Sequence, residues 1–296
     1  MRSAGRVLPP AFLPAPRRRL PKAVCSGDSP LRVLVTGSTK GFGLALANAF
    51  LETNAVVHVS SRDPERVATT LASLRATHGH ARVFGLAADV SRAADVERLA
   101  SHAVEALGGI DVWIANAGGN AYTFKPLVEQ SPEAVEEIVT TNLLGTLLCA
   151  RTAATLMLRQ PKGGVICLLE GAGSDGGQTR LYAAYGASKA ALRQLAASLT
   201  AELKETRVRV LSISPGMVQT ELIAAGRDAF GSTGRFFVNV MAESPDVVAK
   251  QLVTAVRNIA VEGEGGRIEV LTPLVAARKL LSRLLLGTNK NRWYEE

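Results

Sequence analysis

A tyrosine and a lysine four residues apart, Tyr185 and Lys189, are the pair in this 296-residue sequence best spaced for proton transfer. In a helix this spacing puts both side chains on one face, one turn apart. A phenol titrates near pH ~10, so it needs a neighbouring ammonium to act as an acid or base near neutrality. Tyr182 has Gly186 at the matching position and therefore no cationic partner. The spacing favours Tyr185 for acid–base chemistry.

A glycine-rich turn follows the first apolar run, LRVLVTG, and precedes a helical pattern that begins near Phe42. Its glycines let the backbone turn sharply and approach a pyrophosphate, and the amides at the helix N-terminus favour negative charge. Such a turn also occurs for purely structural reasons, but its place at the start of a βαβ series predicts dinucleotide binding. The residues predicted to contact the cofactor here are Gly37, Ser38, Thr39, Lys40, Gly41, Phe42 and Gly43.

The end of the second predicted strand indicates which nicotinamide cofactor is bound. An acidic residue there would bind the ribose hydroxyls of NAD, but the sequence is Ser60-Ser61-Arg62, and Asp63 comes only after the arginine. Arg62 and Lys40 are placed to hold a 2′-phosphate, which predicts NADPH. The alternative is that both cations only decorate an exposed edge.

Two further strand ends carry polar or small residues suited to the cofactor crevice. Asp89, at the end of the third strand, is placed to meet the adenine. Asn116, Ala117 and Gly118 end the fourth strand, and ligands of open α/β sheets bind beyond the carboxyl ends of the strands.

The elements that must position these residues alternate regularly along residues 31–272. Apolar strand patterns occur in LRVLVTG, AVVHVSS, ARVFGLAAD, IDVWIANAG, GGVICLLEG and VRVLSISPG, and helical patterns occupy 91–107, 132–159, 185–204 and 245–260. This alternation predicts right-handed βαβ units and a parallel sheet. Continuous apolar strands indicate a sheet covered on both faces. We predict a single α/β domain, a doubly wound parallel sheet (Rossmann fold) with helices on both faces.

The net charge of +8 is concentrated at the start of the chain. Residues 1–30 hold six basic residues and one acid, which leaves 28 basic and 25 acidic residues in the remainder, so we predict no nucleic-acid partner. The basic, Pro- and Ala-rich segment 1–30 is typical of an organellar transit peptide, with a disordered basic tail as the alternative. The three cysteines and four histidines show no metal-ligand spacing, so no metal is expected.

These motifs together resemble the short-chain dehydrogenase/reductase family over residues 31–272: TGSTKGFG, the NAG at 116–118, Asn142, YGASK at 185–189 and the PG at 215–216. The resemblance implies that Tyr185 is the catalytic acid and that Lys189 lowers its pKa and binds the nicotinamide ribose. It implies that Asn142 holds a proton-relay water. It also implies further cofactor contacts from Val90, Pro215, Gly216, Val218 and Thr220.

The sequence departs from the family at the serine that orients the substrate carbonyl. The family usually places it about 13 residues before the tyrosine, where this chain has Ala172. Ser174 is the only serine in the loop, and Ser188 lies inside the tyrosine–lysine motif, where a packing role is expected. Three possibilities remain: Ser174 performs this role, a backbone amide does, or the carbonyl hydrogen bond is weaker.

Three blocks resemble the chlorophyll b reductases of plants and algae within this family: EGAGSDGG, NAGGNAYTFKPLVE and SPGMVQTEL. The resemblance implies NADPH-dependent reduction of the 7-formyl group of chlorophyll b or chlorophyllide b, in the chloroplast, by a homo- or hetero-oligomer. Two alternatives are a reductase of another carbonyl, such as a 3-oxoacyl thioester, and a non-catalytic NADP-binding subunit of a reductase complex.

Two segments after the PG motif depart from a plain sheet-and-helix pattern. Residues 217–243 form the expected substrate lid, with glycine hinges at Gly231 and Gly234; its apolar residues either line the substrate site or pack on the core. Residues 273–296 form an amphipathic extension with leucines on one side and basic residues on another. Such an extension is suited to three roles: peripheral contact with the thylakoid membrane, contact with a partner subunit, or capping of the chain's own core. The apolar lid residues are Met217, Leu222, Ile223, Phe230, Phe236 and Phe237.

Overall fold

A computed structural model describes residues 29–295, with only the backbone of residue 262 included. The transit peptide or basic tail predicted for residues 1–30 therefore lies almost wholly outside the described residues.

Seven parallel strands form one sheet in the order β3-β2-β1-β4-β5-β6-β7. Their continuous apolar runs predicted this arrangement, because strands buried on both faces need no polar alternation. The predicted fold class is confirmed. The strands are β1 (Arg32–Thr36), β2 (Val56–Ser61), β3 (Val83–Ala87), β4 (Val112–Ala115), β5 (Gly164–Leu169), β6 (Val208–Ser214) and β7 (Gly266–Glu269).

Helices connect the strands and cover both faces of the sheet. Four of them begin with a serine, threonine or aspartate cap followed by proline, a pairing typical of helix N-termini. The helices are α1 (Gly41–Glu52), α2 (Pro64–His78), α3 (Ala93–Leu107), α4 (Pro132–Val139), α5 (Gly145–Met157), α6 (Ala183–Glu202), α7 (Glu221–Ala225), α8 (Gly231–Met241), α9 (Pro245–Glu262) and α10 (Pro273–Leu286), with short 3-10 turns at His80–Arg82 and Leu127–Glu129.

The core has two layers, one on each face of the sheet. Phe50 of α1 and Val253 of α9 pack on one face with the strand residue Val35. Trp113 of β4 and Met157 of α5 are buried on the other face. Successive strand residues point to opposite faces, so each central strand supplies both layers, and the burial of this apolar surface stabilises the sheet from both sides.

The strand order creates the crevice that the sequence predicted. From β1 the sheet grows to β2 in one direction and, through β4, in the other, so the connections diverge at the carboxyl ends of β1 and β4. The glycine-rich turn and Asn116 lie at these two ends.

Two predicted helices differ in detail. The single helix predicted over 132–159 is α4 and α5 joined by a π-helical segment, Thr140–Leu144. The helix predicted from residue 185 begins at Ala183, which places Tyr185 in its first turn.

Candidate active site

A cavity of about 910 Å³ lies beyond the carboxyl ends of the strands. Its volume lies within the range of small-molecule and cofactor sites. Ser38, Asn142 and Ser174 are predicted site residues that do not line it. The predicted residues that do are Gly37, Thr39, Lys40, Gly41, Phe42, Gly43, Arg62, Asp89, Val90, Asn116, Ala117, Gly118, Tyr185, Lys189, Pro215, Gly216, Val218 and Thr220.

The glycine-rich turn forms one wall, and its geometry fits a pyrophosphate. A side chain at Gly43 would place its Cβ 2.2 Å from the Gly37 carbonyl oxygen and 2.4 Å from the Asn116 Nδ2 atom. Gly37 itself has a φ of +63°. The backbone can thus follow this path only with glycine, and it leaves the start of α1 open to an anion.

Side chains from neighbouring strands brace this turn. Asn116 Nδ2 donates to the carbonyl oxygens of Thr36 at 2.9 Å and Gly37 at 3.1 Å. The fully buried Ser38 hydroxyl donates to the Val35 carbonyl oxygen at 2.7 Å and accepts from the Ser60 amide at 2.9 Å. Ser38 therefore holds the turn against β2, and its hydroxyl does not face the cavity.

The two cations predicted for a 2′-phosphate both line the cavity, and each is paired with an acid. Arg62 contacts Glu137 at 2.8 Å, and Lys40 contacts Glu221 at 2.9 Å as well as the Tyr122 hydroxyl. The Tyr122 and Glu221 contacts raise the pKa of Lys40 above its ordinary value despite some desolvation. These acids come from distant parts of the chain, and sequence reasoning missed them.

Asp63, the acid next to Arg62, is committed to the protein. Its Oδ1 atom caps α2 by accepting from the amides of Glu65 at 3.0 Å and Arg66 at 3.1 Å. Its Oδ2 atom contacts the Arg66 guanidinium at 3.1 Å. Asp63 therefore does not replace the missing ribose-binding acid, and Arg66 adds a third cation to this edge of the cavity.

Asp89 lies on the cavity wall as predicted, but part of its carboxylate is used within its own turn. Its Oδ1 atom accepts from the Ser91 amide at 3.0 Å and the Ser91 hydroxyl at 2.7 Å. The adjoining Val90 packs closely on Gly145, where an added Cβ would meet its side chain at 2.7 Å.

Tyr185 and Lys189 lie together at the base of the cavity. Lys189 is buried and its ammonium donates to the Leu169 carbonyl oxygen at 3.0 Å, 5.9 Å from the centre of the Tyr185 ring. Burial lowers the pKa of Lys189 to about 8. Burial, with a smaller effect of Tyr182, raises the pKa of Tyr185 to about 12. In this structure the Tyr185 pKa is therefore shifted by burial in the direction opposite to the one expected from Lys189.

Asn142 is fully buried behind this pair, at the centre of the π-helical segment. Its Nδ2 atom donates to the Gly119 carbonyl oxygen and to the Ser188 hydroxyl, both at 2.9 Å, and its Oδ1 atom accepts from the Gly119 amide at 2.8 Å. Ser188 in turn donates to the Tyr185 carbonyl oxygen at 2.7 Å. Ser188, expected only to pack, therefore links Asn142 to the backbone of α6 at Tyr185.

Ser174 is turned away from the cavity. Its hydroxyl donates to the Lys189 carbonyl oxygen at 3.1 Å and accepts from the Gly171 amide at 2.9 Å, so it holds the loop against α6. Gly171 lies beside the reactive phenol, because an added Cβ would come within 2.4 Å of the Tyr185 hydroxyl. Ala172 lines the cavity.

An aromatic wall faces Tyr185 across the mouth of the cavity. Phe124 contacts Tyr182 at a centroid distance of 5.7 Å and Phe230 at 5.5 Å, both in edge-to-face geometry. The Tyr182 ring lies 6.0 Å from that of Tyr185. The rings leave an apolar surface suited to a large planar ligand.

The predicted lid forms α7 and α8, but only part of it faces the cavity. Met217, Leu222, Ile223 and Phe230 line the cavity. Phe236 and Phe237 instead pack on each other at 5.6 Å, and Arg283 of α10 lies over Phe236. Of the two alternatives left open for the apolar lid residues, packing within the protein applies to Phe236, because α8 turns it toward the C-terminal extension.

The C-terminal extension holds the lid from behind. Asn239 of α8 is fully buried; its Oδ1 atom accepts from the amides of Trp293 at 2.7 Å and Tyr294 at 2.9 Å, and its Nδ2 atom donates to the Tyr294 carbonyl oxygen at 2.8 Å. Lys279 of α10 donates to the Met241 carbonyl oxygen at 3.0 Å. We call these contacts the lid clamp.

Both the sequence and the fold of this chain have counterparts among known proteins. The family model for short chain dehydrogenase matches residues 32–229. The chain therefore belongs to the short-chain dehydrogenase family, whose members are oxidoreductases that use a nicotinamide cofactor.

Individual proteins are similar to this chain over most of its length. The chain is 45% identical over 272 residues to the chloroplastic chlorophyll(ide) b reductase NOL of Arabidopsis thaliana, covering 90% of this chain and 77% of that protein. It is 43% identical to the NOL of Oryza sativa subsp. japonica, with 90% and 79% coverage. A short-chain type dehydrogenase/reductase from Mycobacterium marinum has the same fold, with a TM-score of 0.71, 25% identity, and coverage of 81% of this chain and 93% of that one. The predicted family resemblance is confirmed.

Proposed function

We propose that this protein reduces the 7-formyl group of chlorophyll b or chlorophyllide b to a hydroxymethyl group, with NADPH as the reductant. The observation that carries the proposal is the placement of Tyr185 and Lys189 beneath an aromatic-walled cavity that is open at its mouth. A formyl group on the edge of a planar macrocycle suits that arrangement, because the carbonyl enters while the ring system rests on aromatic side chains. The two NOL relatives are named for this substrate.

Each catalytic residue has a distinct part in the proposed reaction. NADPH, when bound, supplies the hydride to the carbonyl carbon. The Tyr185 phenol donates its proton to the carbonyl oxygen, a direction that suits a phenol held protonated by burial. The Lys189 ammonium stabilises the phenolate that this transfer leaves and binds the nicotinamide ribose. Asn142, held in position by the Gly119 backbone and the Ser188 hydroxyl, would hold the water from which the phenol regains its proton.

NADPH is preferred to NADH in this proposal because of the charge at the end of β2. Lys40, Arg62 and Arg66 line that part of the cavity, and the only acid directly after the strand, Asp63, caps α2. A 2′-phosphate fits guanidinium groups well, whereas Asp63, the acid nearest the usual ribose-binding position, is engaged by the start of α2 and by Arg66. Binding must displace or share the contacts of Arg62 with Glu137 and of Lys40 with Glu221.

The test is pigment chromatography after incubation of the purified full-length chain with chlorophyll b or chlorophyllide b and NADPH. We expect a 7-hydroxymethyl product with the wild type and none with Tyr185→Phe, whose NADPH affinity should stay the same. Wild-type protein that binds NADPH and leaves both pigments unreduced would refute the proposed substrate. Equal turnover by Tyr185→Phe would refute the assignment of the acid.

We also propose a chloroplast location, with residues 1–30 as a transit peptide and α10 as a contact to the stromal side of the thylakoid membrane. Among the described residues, no helix combines the length and apolar character needed to cross a bilayer. Leu281, Leu284 and Leu285 of α10 are more than half exposed, while Lys279 of the same helix faces the lid. An exposed leucine row beside the basic Arg278 suits shallow insertion into an anionic surface.

Flotation with liposomes of thylakoid lipid composition tests this contact. Replacing Leu281, Leu284 and Leu285 by glutamine should abolish flotation of the full-length chain and leave its NADPH affinity unchanged. Exchanging Leu127, which is also exposed but lies far along the chain, for glutamine is the matched control. Equal flotation of all three proteins would exclude α10 as the membrane contact.

We further propose that the protein forms an oligomer, either with copies of itself or with a related reductase. Leu144, Leu147 and Leu158 are exposed apolar side chains in the segment from the π-helical turn to the end of α5, a surface that a partner subunit would cover. Sedimentation of the wild type beside a Leu147→Lys variant measures this: the variant should sediment as a smaller species.

A further inference from the structure

We propose that Tyr182 donates the second hydrogen bond to the substrate carbonyl oxygen, in place of the serine that the chain lacks. This inference rests on the proposed function, since it concerns how the same carbonyl is held while Tyr185 protonates it.

The usual position for a hydroxyl donor contains none. Ala172 occupies the point 13 residues before Tyr185 and lines the cavity with a methyl group. Gly171 lies directly beside the Tyr185 hydroxyl and offers no side chain. Ser174, the one serine in the loop, is engaged by the Gly171 amide and the Lys189 carbonyl oxygen. A carbonyl entering the site therefore needs its second donor from another element.

Tyr182 supplies a phenol on the other side of the same space. It lines the cavity, and its ring centre is 6.0 Å from that of Tyr185, tilted by 57°. Within residues 29–295 no hydrogen bond is formed by its hydroxyl, which leaves that group available to a ligand. Its ring is held by Phe124, and its backbone by bonds from its amide to the Thr179 carbonyl oxygen at 3.2 Å and from the Gly186 amide to its carbonyl oxygen at 3.0 Å.

The backbone next to Tyr182 is strained in a way that fixes this orientation. Leu181 has a φ of +72°, a left-handed conformation that is strained for a non-glycine residue. Tyr182 follows at the N-terminal cap of α6 but makes no side-chain capping bond. The turn therefore directs the ring toward the cavity without using its hydroxyl.

The two phenols then have separate tasks. When the hydride reaches the carbonyl carbon, the carbonyl π electrons move to the oxygen and the Tyr185 proton forms the new O–H bond. Tyr182 keeps its proton throughout and donates a hydrogen bond to the developing oxyanion. Burial raises the pKa of Tyr182 above its ordinary value, so it remains a donor near neutrality. A donor aimed at charge that appears in the transition state lowers the barrier more than it strengthens substrate binding.

Tyr182→Phe tests the assignment because it retains the ring that contacts Phe124. We expect kcat on chlorophyllide b to fall about 100-fold, with NADPH affinity unchanged. The double variant Tyr182→Phe with Ala172→Ser restores a hydroxyl at the family's position and should recover at least about tenfold of that loss. A residue that acts only as part of the aromatic wall would show neither effect.

A spectroscopic readout separates this inference from the proposed function. The C=O stretching frequency of the formyl group, measured in chlorophyllide b bound with NADP⁺, should lie higher in Tyr182→Phe than in wild type because one hydrogen bond is lost. An unchanged frequency and an unchanged kcat would overturn the role of Tyr182. Wild-type protein that fails to reduce the pigment would overturn the proposed function instead, and the same frequency shift measured on a bound aromatic aldehyde would still decide the role of Tyr182.

Discussion

The two walls of the cavity are held in place by different means. On the cofactor side, the glycine-rich turn is fixed by Asn116 and Ser38, whose bonds go to the backbone of adjacent strands in the same sheet. On the substrate side, α8 is fixed by the lid clamp, in which Asn239 contacts residues more than 50 positions later.

The two walls therefore differ in how far each can change shape without losing its contacts. A turn set by strand ends and by missing Cβ atoms has one permitted shape, so it suits a cofactor that never changes. A lid held by one buried amide and a tail can be repositioned by changes far from the cavity. The comparison predicts that damage to the first wall affects cofactor binding and stability, and damage to the second affects mainly the substrate.

The largest effect is expected from Gly43→Ala on the cofactor side. The new Cβ would lie 2.2 Å from the Gly37 carbonyl oxygen, and neither backbone segment can retreat without breaking the turn. We expect the free energy of unfolding to fall by about 3 kcal/mol and NADPH affinity to fall about 100-fold, measured by urea unfolding and fluorescence titration. Gly119→Ala, whose Cβ would meet no atom within 4 Å, is the control for stability. Equal effects of both changes would remove the argument for a shape-limited turn.

Asn239→Ala is the matching change on the substrate side. It leaves the amides of Trp293 and Tyr294 without their acceptor, which costs about 2 kcal/mol where the groups stay buried. We expect KM for the pigment to rise about tenfold through loss of lid position, with NADPH affinity unchanged. Asn48→Ala, which removes only a contact with His78, serves as the matched control. A parallel loss of NADPH affinity would contradict the division between the two walls.

The pH profile tests the pair that lies between the walls. Lys189 has its pKa lowered to about 8, so it loses its proton as the pH rises past 8, whereas Tyr185, at about 12, stays protonated. We expect kcat/KM for reduction to decline above pH 8, approaching tenfold per pH unit. A decline that begins only near pH 10 would show that Lys189 retains its proton.

The lowered pKa of Lys189 also has a defined sign for stability. Between pH 8 and 10.5 the unfolded chain binds more protons at this lysine than the folded chain does, so its contribution to folding becomes more favourable as the pH rises through that interval. The free energy of unfolding is measured against pH for the wild type and for Lys189→Met, and the difference between the two curves isolates this contribution.

The smallest effect is expected from Glu137→Gln. Both partners of the Arg62–Glu137 contact are largely exposed, and such pairs contribute less than about 1 kcal/mol. Freeing Arg62 for the cofactor should therefore lower KM for NADPH by about threefold and leave KM for NADH unchanged. A matching gain with NADH would show that Arg62 does not contact the 2′-phosphate.

The sequence predicted the cofactor wall in detail because that wall depends on local pattern. A strand, a glycine-rich turn and a helix are adjacent in the chain, so the roles of Gly37 and Gly43 follow from backbone geometry alone. The pairing of Tyr185 with Lys189 could also be predicted from the sequence, since one helical turn brings the two side chains together. The family and fold class followed from these same local motifs.

Contacts that join distant segments could not be predicted in the same way, and most of the substrate wall depends on such contacts. Nothing near Lys40 indicates Glu221, and nothing near Asn239 indicates Tyr294. The sequence shows that Phe230 and Phe236 are apolar, but it does not show where either side chain points. The two were therefore indistinguishable, although only Phe230 faces the cavity. The pKa of Tyr185 also depends on the depth of burial, which spacing does not reveal.

The π-helical segment at Thr140–Leu144 has a consequence for how this chain can change in length. One residue more than a regular helix needs is accommodated there, and it is this widened turn that carries Asn142. Deleting that extra residue would let α4 continue into α5 as a regular helix, so Cys149, Ala153 and Met157 would stay on the sheet. It would remove the widened turn that carries Asn142, and with it the bonds of Asn142 to Gly119 and Ser188. The hydrophobic core therefore tolerates a one-residue deletion here, and the position of Asn142 is what the extra residue maintains.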